Sequence, residues 1–534
     1  MRPEFLGIYK PRAVIQDSIH GIIPINEAEY WILQTPFLRR LHEIKQLGLS
    51  YLVFPSATHS RLEHSLGVMH LASRMAYRVI EASRRSSKVC SALFEKCDDR
   101  VYSTFIQVAR LAGLLHDLGH PPFSHMSEDT IEDLIFNPEL RGLSDDSILG
   151  SLSEAKNAII KLGEYTKIHE AYTKYFIESL IDMSRSIEYS NLSYLLELAL
   201  ESISPGRLKD IDVEVGIKLE ACAVINKILS NNIVDVDRLD YLVRDAKYTG
   251  VIYGYIDIDR VLESLEVTVI ESKPDISLPV KALPAIEDVF DARFKMYKSL
   301  YYHHKFTSIQ LALDRAIVRI AVEWSNLEGK IFDNTVSNLG ELLNPIRLSD
   351  LIREGIIYFD DIEVLSLIKI LNLKGSSIGR RWAKPLLHER RLLPISLIKR
   401  SDEVIAEIKK RVGKRVENIG RVLEEVFHDN DVFSSVVERS IYRIIRSLSL
   451  NSSDIITERA PRRIVKEVLG PTSDIIETST YLRMLVDIAS TPIISTYLLS
   501  DYEDIHLKLY SYRETLRKSF IKELVEEVTS RIKS

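Results

Sequence analysis

Apolar residues recur at three- and four-residue spacing along most of the chain, with few breakers between them, and this rhythm predicts a mainly helical protein. Leu62, Leu66, Met69, Met75 and Val79 keep it from Arg61 to about Arg85. From Ser103 to His120, Ile106, Ala109, Leu111, Leu114, Leu115 and Leu118 make a segment too apolar for a surface helix, so it should be buried on most sides. Pro121 and Pro122 are expected to end it, because proline lacks the helical N–H and disfavours helix in the residue before it. Strand signals are few. AVIQDSIHGIIPI (13–25) alternates around a turn at His20-Gly21, and residues 265–280 read as a hairpin with its turn near Lys273-Pro274-Asp275. Residues 137–165 are polar and turn-rich, and a loop or lid between helices is expected there. KGSSIGR (374–380) reads as an internal linker. Near the end, IGRVLEEVF and FIKELVEEVTSRI have the pattern of amphipathic helices that serve as core or subunit contact.

Length and composition then narrow the class. A chain of 534 residues exceeds what one hydrophobic core supports, so more than one structural unit is expected. A hydrophobic fraction of 46% with 27% charged residues excludes global disorder. Lys and Arg number 70 against 76 Asp and Glu, a net charge of −6, so any site for a polyanion must be a local basic pocket. Three cysteines, Cys90, Cys97 and Cys222, are too few for a disulfide framework or a zinc ribbon and fit a reducing interior. No apolar run is long enough to span a membrane, and the first residues lack a signal-peptide core. A cytoplasmic enzyme without membrane attachment is the expectation.

Of the 14 histidines, nine precede residue 170. His116, Asp117, His120 and His125 crowd the end of the buried segment in LAGLLHDLGHPPFSH. A His-Asp pair alone carries little, since another occurs at His428-Asp429 in a polar stretch that reads as a solvated turn. Beside an apolar helix, however, a buried histidine and carboxylate need compensation, and a metal ion supplies it. His64 in THSRLEHSLG and Asp237 in NIVDVDRLDYLVRD, on two further predicted helices, are candidates for the rest of a shell. Two imidazoles and two carboxylates suit Mn, Fe, Zn or Mg with positions left open for water, which is what a hydrolase requires.

With these residues in view, the sequence resembles the HD-domain phosphohydrolases, most closely the deoxynucleoside triphosphate triphosphohydrolases. The blocks that carry the resemblance are IQDSIHGIIPI, TPFLRRLHEIKQLGLSYLVFPSATHSRLEHSLGVMHLA, LAGLLHDLGHPPFSH and IVDVDRLDYLVRDAKYTG, with weaker similarity through RFKMYKSLYYHHK and LSDLIREGIIYFDDIEVLSLI. It implies a mainly α fold with an HD helical core at 1–325, small β-hairpins, and a mostly helical C-terminal lobe at 326–534. It implies one divalent metal ion per active site, of the Mn, Mg, Fe, Zn or Ni class, on His64, His116, Asp117 and Asp237. His125 matches the family's catalytic histidine and Glu128 its acidic partner. His169, with Glu170 beside it, matches a second histidine near the α-phosphate, and His120 a phosphate-contacting position. Arg61, Arg238, Tyr241, Asp245, Arg293, Tyr301 and His303 match residues that hold triphosphate, sugar or base. Gln46 and Leu47 match the pair that reads the 3′-hydroxyl and crowds the 2′ face of the sugar.

The activity so implied is hydrolysis of dGTP or other dNTPs to deoxynucleoside and triphosphate, by a homo-oligomer. In animal members an acidic residue, a glutamine and an arginine form a guanine-nucleotide activator site; the corresponding positions here are Gln34, Arg39 and His42, so activation of that kind is not implied. Each assignment has a plainer alternative. His120, His125 and His169 stand near predicted helix ends, where capping is common, and arginines among carboxylates form structural ion pairs. Gln46 fits an ordinary polar helix position, and His20, His59 and His70 read as structural. The basic run 384–400 reads as a solvated face. At the level of function the alternatives are an HD phosphodiesterase acting on another nucleotide or on single-stranded nucleic acid, which is the less favoured partner, and a nucleotide-sensing module with little turnover.

Overall fold

The computed structural model describes residues 11–163, 167–186, 191–209, 216–231, 233–271, 273–277, 279–327, 335–412, 419–459, 479–489 and 493–533. It is mainly α with small antiparallel sheets, as the hydrophobic rhythm predicts. The chain forms two compact units, Met1–Ala292 with Phe332–Val364, and Arg293–Ile331 with Leu365–Ser534. It therefore passes from one unit to the other three times, and the packing does not divide at a single point near residue 325.

The first unit opens with the hairpin β1 (Ala13–Asp17) and β2 (Gly21–Ile25), with Asp17 opposite Gly21. Its turn lies where expected, and Gly21 takes a φ of 72°, a conformation glycine adopts without steric cost. Helices α1 (Glu27–Gln34), α2 (Pro36–Glu43), α3 (Arg61–Arg85), α4 (Ser87–Leu93), α5 (Asp99–Leu115) and α6 (His125–Phe136) follow. Then come α7 (Asp146–Lys161), α8 (Ile168–Ser184), α9 (Leu192–Ile203), α10 (Leu219–Leu229), α11 (Val236–Thr249), α12 (Ile258–Glu263) and the hairpin β3 (Glu266–Ile270) with β4 (Lys273–Ser277).

The centre of this unit is α3 packed along α5. Ser60 and Glu63 form a reciprocal capping box that starts α3 one turn before His64. Leu111, Leu114 and Leu115 on α5 are fully buried, each stabilising the pair by about 1.5–3 kcal/mol. Gly113 lets the two backbones touch: a Cβ there would lie 3.0 Å from the Met69 Cα. The close crossing brings His64 and His116 to the same end of the helix pair.

Three expectations are corrected here. The buried helix α5 ends at Leu115, with His116 as its C-cap, five residues before the first proline; Leu118 N and His120 N instead close turns onto Leu115 O and Asp117 O. The stretch 137–165 is not a loop, for Asp145 caps the N-terminus of α7 by accepting from Ser147 N and Ile148 N, and Ile148, Leu152, Ala155 and Ile159 bury one face. Polar residues on the outer face hid that period; Glu164 and Tyr165 lie outside the described residues. In the second hairpin the turn comes earlier than expected, since Lys273, Pro274 and Asp275 already pair with Ile270, Val269 and Thr268.

The cysteines also depart from expectation. A disulfide joins Cys90 in the middle of α4 to Cys97, and only Cys222, which is buried, is a free thiol. Phe94 bridges Ile217 just after α4, and the resulting bend brings the two Cα atoms within 6.1 Å, inside the range a disulfide spans. No helix among the described residues is long and apolar enough to cross a membrane.

In the second unit, strand Thr496–Leu499 lies between Ile395–Ser396 and Ile456–Arg459 in an antiparallel sheet. Around it, helices Ser401–Val412, Ile419–His428 and Arg513–Lys533 bury Val404, Leu423, Phe427, Phe520 and Leu524 in a common core. The two amphipathic helices expected near the end are the second and third of these. The stretch 374–380 is a tight joint rather than a linker: one helix ends at Lys374, the next begins at Ser377, and the Glu323 carboxylate accepts from Ser376 N at 2.6 Å and Ser376 Oγ at 2.7 Å.

Candidate functional site

Four side chains from three places in the first unit converge at one end of the α3–α5 pair. His64 comes from the first turns of α3, His116 and Asp117 from the end of α5, and Asp237 from the first turn of α11, where Asp235 caps by accepting from Arg238 N. The Nε2 atom of His64 lies 3.0 Å from Asp237 Oδ1 and 3.6 Å from Asp117 Oδ2. That of His116 lies 3.5 Å from Asp117 Oδ1 and 3.8 Å from Asp237 Oδ1. Donor atoms bound about 2.0–2.2 Å from one ion stand roughly 3–4 Å apart; His64, His116 and Asp237, with one donor atom each within 4.8 Å of the others, have the spacing of a ligand set, and Asp117 stands beside them.

The tautomers argue the same way. His64 Nδ1 is 2.8 Å from Asp240 Oδ2 and His116 Nδ1 is 2.9 Å from Gly113 O, so each Nδ1 must donate. Each neutral ring then turns its Nε2 lone pair toward two carboxylates. Neither Nε2 takes part in a hydrogen bond among the described residues, and both are buried. Lone pairs facing carboxylates repel, and a cation between them removes the conflict. Without one, protonation does the same: burial alone would lower the pKa of His64, but Asp237 and Asp240 push it up to about 10. Burial opposes protonation of His116 as well, and Asp117 and Asp237 overcome it. The residues present therefore fit a divalent ion.

Asp240 was not singled out from the sequence, yet it organises this end of the site. Fully buried, it takes His20 Nε2 at 2.7 Å and Arg244 Nη2 at 2.9 Å on Oδ1, and His64 Nδ1 and Arg244 Nε, each at 2.8 Å, on Oδ2. Arg244 also donates to Asp17 at 2.9 Å. Gly67 on α3 leaves room for the group, since a Cβ there would fall 1.9 Å from Asp240 Oδ1. The signal was present as Asp-x-x-x-Arg spacing on α11, one turn beyond Asp237.

Beside the quartet stand His120, His125 and His169. Glu128, 4% exposed on α6, holds two of them: Oε2 is 2.7 Å from His125 Nδ1 and Oε1 is 2.6 Å from His169 Nδ1. Burial would raise the Glu128 pKa, but His169 and His125 hold it well below the usual carboxylate range. His120 and His169 stack with ring centroids 4.0 Å apart and planes 18° apart. A ring nitrogen from each of the three lies within 4.8 Å of the others, so the trio can contact the same oxygens, move protons or take an ion. Burial, with Arg61 and His169 nearby, keeps His120 neutral, its pKa lowered well below the ordinary histidine value.

Arg61 opens α3 and joins both halves of the site: Nη1 pairs with Asp117 Oδ2, and Nε donates to Ser124 Oγ at 2.9 Å. Gln46 is 7% exposed, and its Oε1 accepts no hydrogen bond among the described residues. Leu47 is 8% exposed beside it. Asp245 is tied to this segment indirectly, since its Oδ1 is 2.8 Å from His59 Nε2 while His59 O accepts from Gln46 N at 3.0 Å. His59 and His20 are thus structural, as expected.

Arg238 and Tyr241 of the expected substrate set lie on α11. Arg238 turns back to the α11 cap, donating to Asn231 O with Asp235 Oδ2 at 3.5 Å. Tyr241 is half-buried on α11. Arg293, Tyr301 and His303 belong to the second unit. There the Arg293 guanidinium lies 5.8 Å over the Tyr297 ring, Tyr301 ends a π-helical turn Tyr297–Tyr301, and His303 caps the helix His304–Val322 by accepting from Lys305 N at 3.3 Å. Of the activator-site positions, Arg39 donates to Gln34 Oε1 at 3.2 Å.

Residues 61–147, which hold His64, His116, Asp117 and the three-histidine array up to His125, match the HD domain family. Over these residues the chain is similar to HD-domain proteins. It is 30% identical over 321 residues to an uncharacterized protein of Methanocaldococcus jannaschii, covering 60% of this chain and 52% of that one. It is 29% identical over 352 residues to deoxynucleoside triphosphate triphosphohydrolase SAMHD1 of Danio rerio, covering 65% and 52%. The chain thus spans about half the length of these curated relatives. In fold it is similar to a phosphohydrolase of Bacteroides thetaiotaomicron, with a TM-score of 0.57 and 21% identity over 91% of this chain and 99% of the other.

Proposed function

We propose that the protein hydrolyses deoxynucleoside triphosphates to deoxynucleoside and triphosphate in a divalent-metal-dependent reaction. The observation that carries this reading is the pairing of two arrays: a set of two imidazole lone pairs and two carboxylates, and next to it three histidines of which two are hinged on the single carboxylate of Glu128. His64, His116, Asp117 and Asp237 would hold the ion, whose chemistry when bound is to activate water near neutral pH and to neutralise phosphate charge. The reaction breaks the bond between the α-phosphorus and the 5′ oxygen, and the water oxygen remains on the triphosphate.

The chain's own residues do the rest. Glu128 accepts from His125 Nδ1, leaving the Nε2 lone pair of this half-exposed ring to take up a proton released by the attacking water and pass it to the departing 5′ oxygen. His169 is oriented by the same carboxylate, and with neutral His120 stacked on it contacts phosphate oxygens. Arg61 adds a fork-shaped cation suited to such oxygens, and its bond to Ser124 fixes its direction. The acceptor Gln46 Oε1 is buried and takes no hydrogen bond among the described residues, which suits it to receive a sugar hydroxyl, and Leu47 beside it favours a 2′ carbon without oxygen. The activity named for the Danio rerio relative supports the same substrate class.

Incubation with each dNTP, each NTP and single-stranded DNA in the presence of Mn or Mg, followed by separation of products, tests the reading. Tripolyphosphate and deoxynucleoside are expected from dNTPs; pyrophosphate or shortened oligonucleotides would replace it with a phosphodiesterase or nuclease reading. Asp237→Ala should abolish both bound metal and turnover while keeping the helical circular dichroism.

A further inference from the structure

Two segments of the first unit carry the groups assigned to sugar and phosphate, Lys45–Leu47 and His120–His125, and a third segment far along the chain ties them together. Asp361 is 3% exposed; its Oδ2 accepts from Lys45 N at 2.9 Å and its Oδ1 from Phe123 N at 2.6 Å. One carboxylate thus bonds the backbone immediately before Gln46 and the backbone two residues before His125. Arg40, 2% exposed, strengthens the tie by donating from Nε to Tyr358 O at 2.6 Å, from Nη2 to Phe359 O at 3.0 Å and from Nη1 to Leu118 O at 3.4 Å.

The tied backbone is one that needs holding. Phe123 and Ser124 have φ values of 62° and 55°, a left-handed pair that side-chain-bearing residues rarely adopt. Ser124 Oγ donates to Lys45 O at 2.8 Å, so the two segments also touch directly. Gly48 closes the contact: at a φ of 52°, a Cβ there would fall 2.6 Å from Phe123 O and 2.7 Å from Met126 Sδ. Neither segment can shift against the other without breaking a bond to Asp361.

We infer that Asp361 is a positioning residue that sets the spacing between the sugar-reading segment and the histidine segment, and so links deoxyribose discrimination to turnover. This inference rests on the triphosphohydrolase reading. The tie depends on ionisation, because a protonated carboxyl turns one acceptor into an O–H donor facing an N–H. Burial and the neighbouring Asp360 push the Asp361 pKa up to about 7, against the pull of the two N–H groups and Lys45; Tyr51 faces it, and Arg40 and Glu363 flank Asp360. The clamp therefore tightens as pH rises through neutrality.

The test is Asp361→Asn, which keeps the side chain's size but leaves one acceptor oxygen. At pH 8, amide hydrogen exchange in peptides spanning 44–47 and 121–126 should quicken at least tenfold while core peptides of α3 and α5 keep their protection. The ratio of kcat/KM for a dNTP over the matching NTP should fall at least tenfold, and the rise of kcat near pH 7 should vanish. In the unsubstituted protein, the same two peptides should lose protection relative to the core as pH falls from 8 to 6, a readout that does not depend on the variant folding. Unchanged exchange in both experiments, or an unchanged dNTP-to-NTP ratio in an active Asp361→Asn enzyme, overturns the inference. Absence of triphosphate release by the unsubstituted protein would instead sink the functional reading, and the exchange data would still judge the clamp.

Discussion

Replacing Asp240 with asparagine tests the arrangement of charge behind the candidate metal centre. The carboxylate receives four donors on two oxygens, from His20 and Arg244 on one and from His64 and Arg244 on the other. Asparagine offers one acceptor oxygen and one donor NH2, so in either orientation two of the four donors meet a donor. If the NH2 faces His64, the ring is driven to the other tautomer and its hydrogen moves to Nε2, the atom that faces Asp237 and Asp117. Loss of such a partner behind a metal-bound histidine typically weakens metal binding 10- to 100-fold, about 1.4–2.7 kcal/mol. The fold also loses a buried ion pair, for which removal of one partner typically costs about 3–5 kcal/mol; the Arg244–Asp17 contact remains and keeps the expected loss toward the lower figure. Competitive metal titration of the purified protein measures the first quantity, and chemical denaturation with and without metal the second. Wild-type metal affinity together with wild-type stability in Asp240→Asn would refute the account of how His64 is held.

Three further outcomes are expected. Glu128→Gln leaves one acceptor oxygen for the two imidazoles of His125 and His169 and turns an NH2 donor toward the other, and should lower kcat by about 10²- to 10⁴-fold with little change in bound metal, as steady-state kinetics and metal analysis will show. Gly119→Ala would set a Cβ 2.2 Å from Thr173 N and 2.3 Å from His169 O, both backbone atoms of α8, so the helix must move; a loss above about 3 kcal/mol is expected in denaturant titration. Asp361 binds its proton more tightly folded than unfolded, so its contribution to stability should fall as pH rises from about 4 to about 7. Urea melts at intervals between pH 4 and pH 8 should show that slope in the wild type and a flatter profile in Asp361→Asn.

The cluster of histidines around His116-Asp117 was legible in the sequence because a short-range pattern carries it, whereas His64, Asp237 and the His125–Glu128 pair were assigned through the resemblance of whole blocks. An apolar run ending in His-Asp, and a histidine and carboxylate one helical turn apart, are local facts that the fold preserves. The hairpin at residues 13–25 was legible for a similar reason, as alternation around a glycine turn. What stayed hidden depends on distance along the chain. Asp361 meets Lys45 and Phe123 across more than two hundred residues, and nothing near Tyr358–Asp361 marks it apart from an ordinary helix start. The helix α7 was missed because its buried face is spread among serines, glycine and charges, and a cap at Asp145 decides it. The Cys90–Cys97 bridge escaped composition arguments because a local bend, not the number of cysteines, brings the pair together.

The central claim, that this site directs water onto the α-phosphorus of a deoxynucleoside triphosphate, is tested most directly by hydrolysis of dGTP in ¹⁸O-labelled water with Mn present. The account predicts one ¹⁸O atom in the released tripolyphosphate and none in deoxyguanosine. Label in the nucleoside, or release of pyrophosphate with labelled monophosphate, would contradict it.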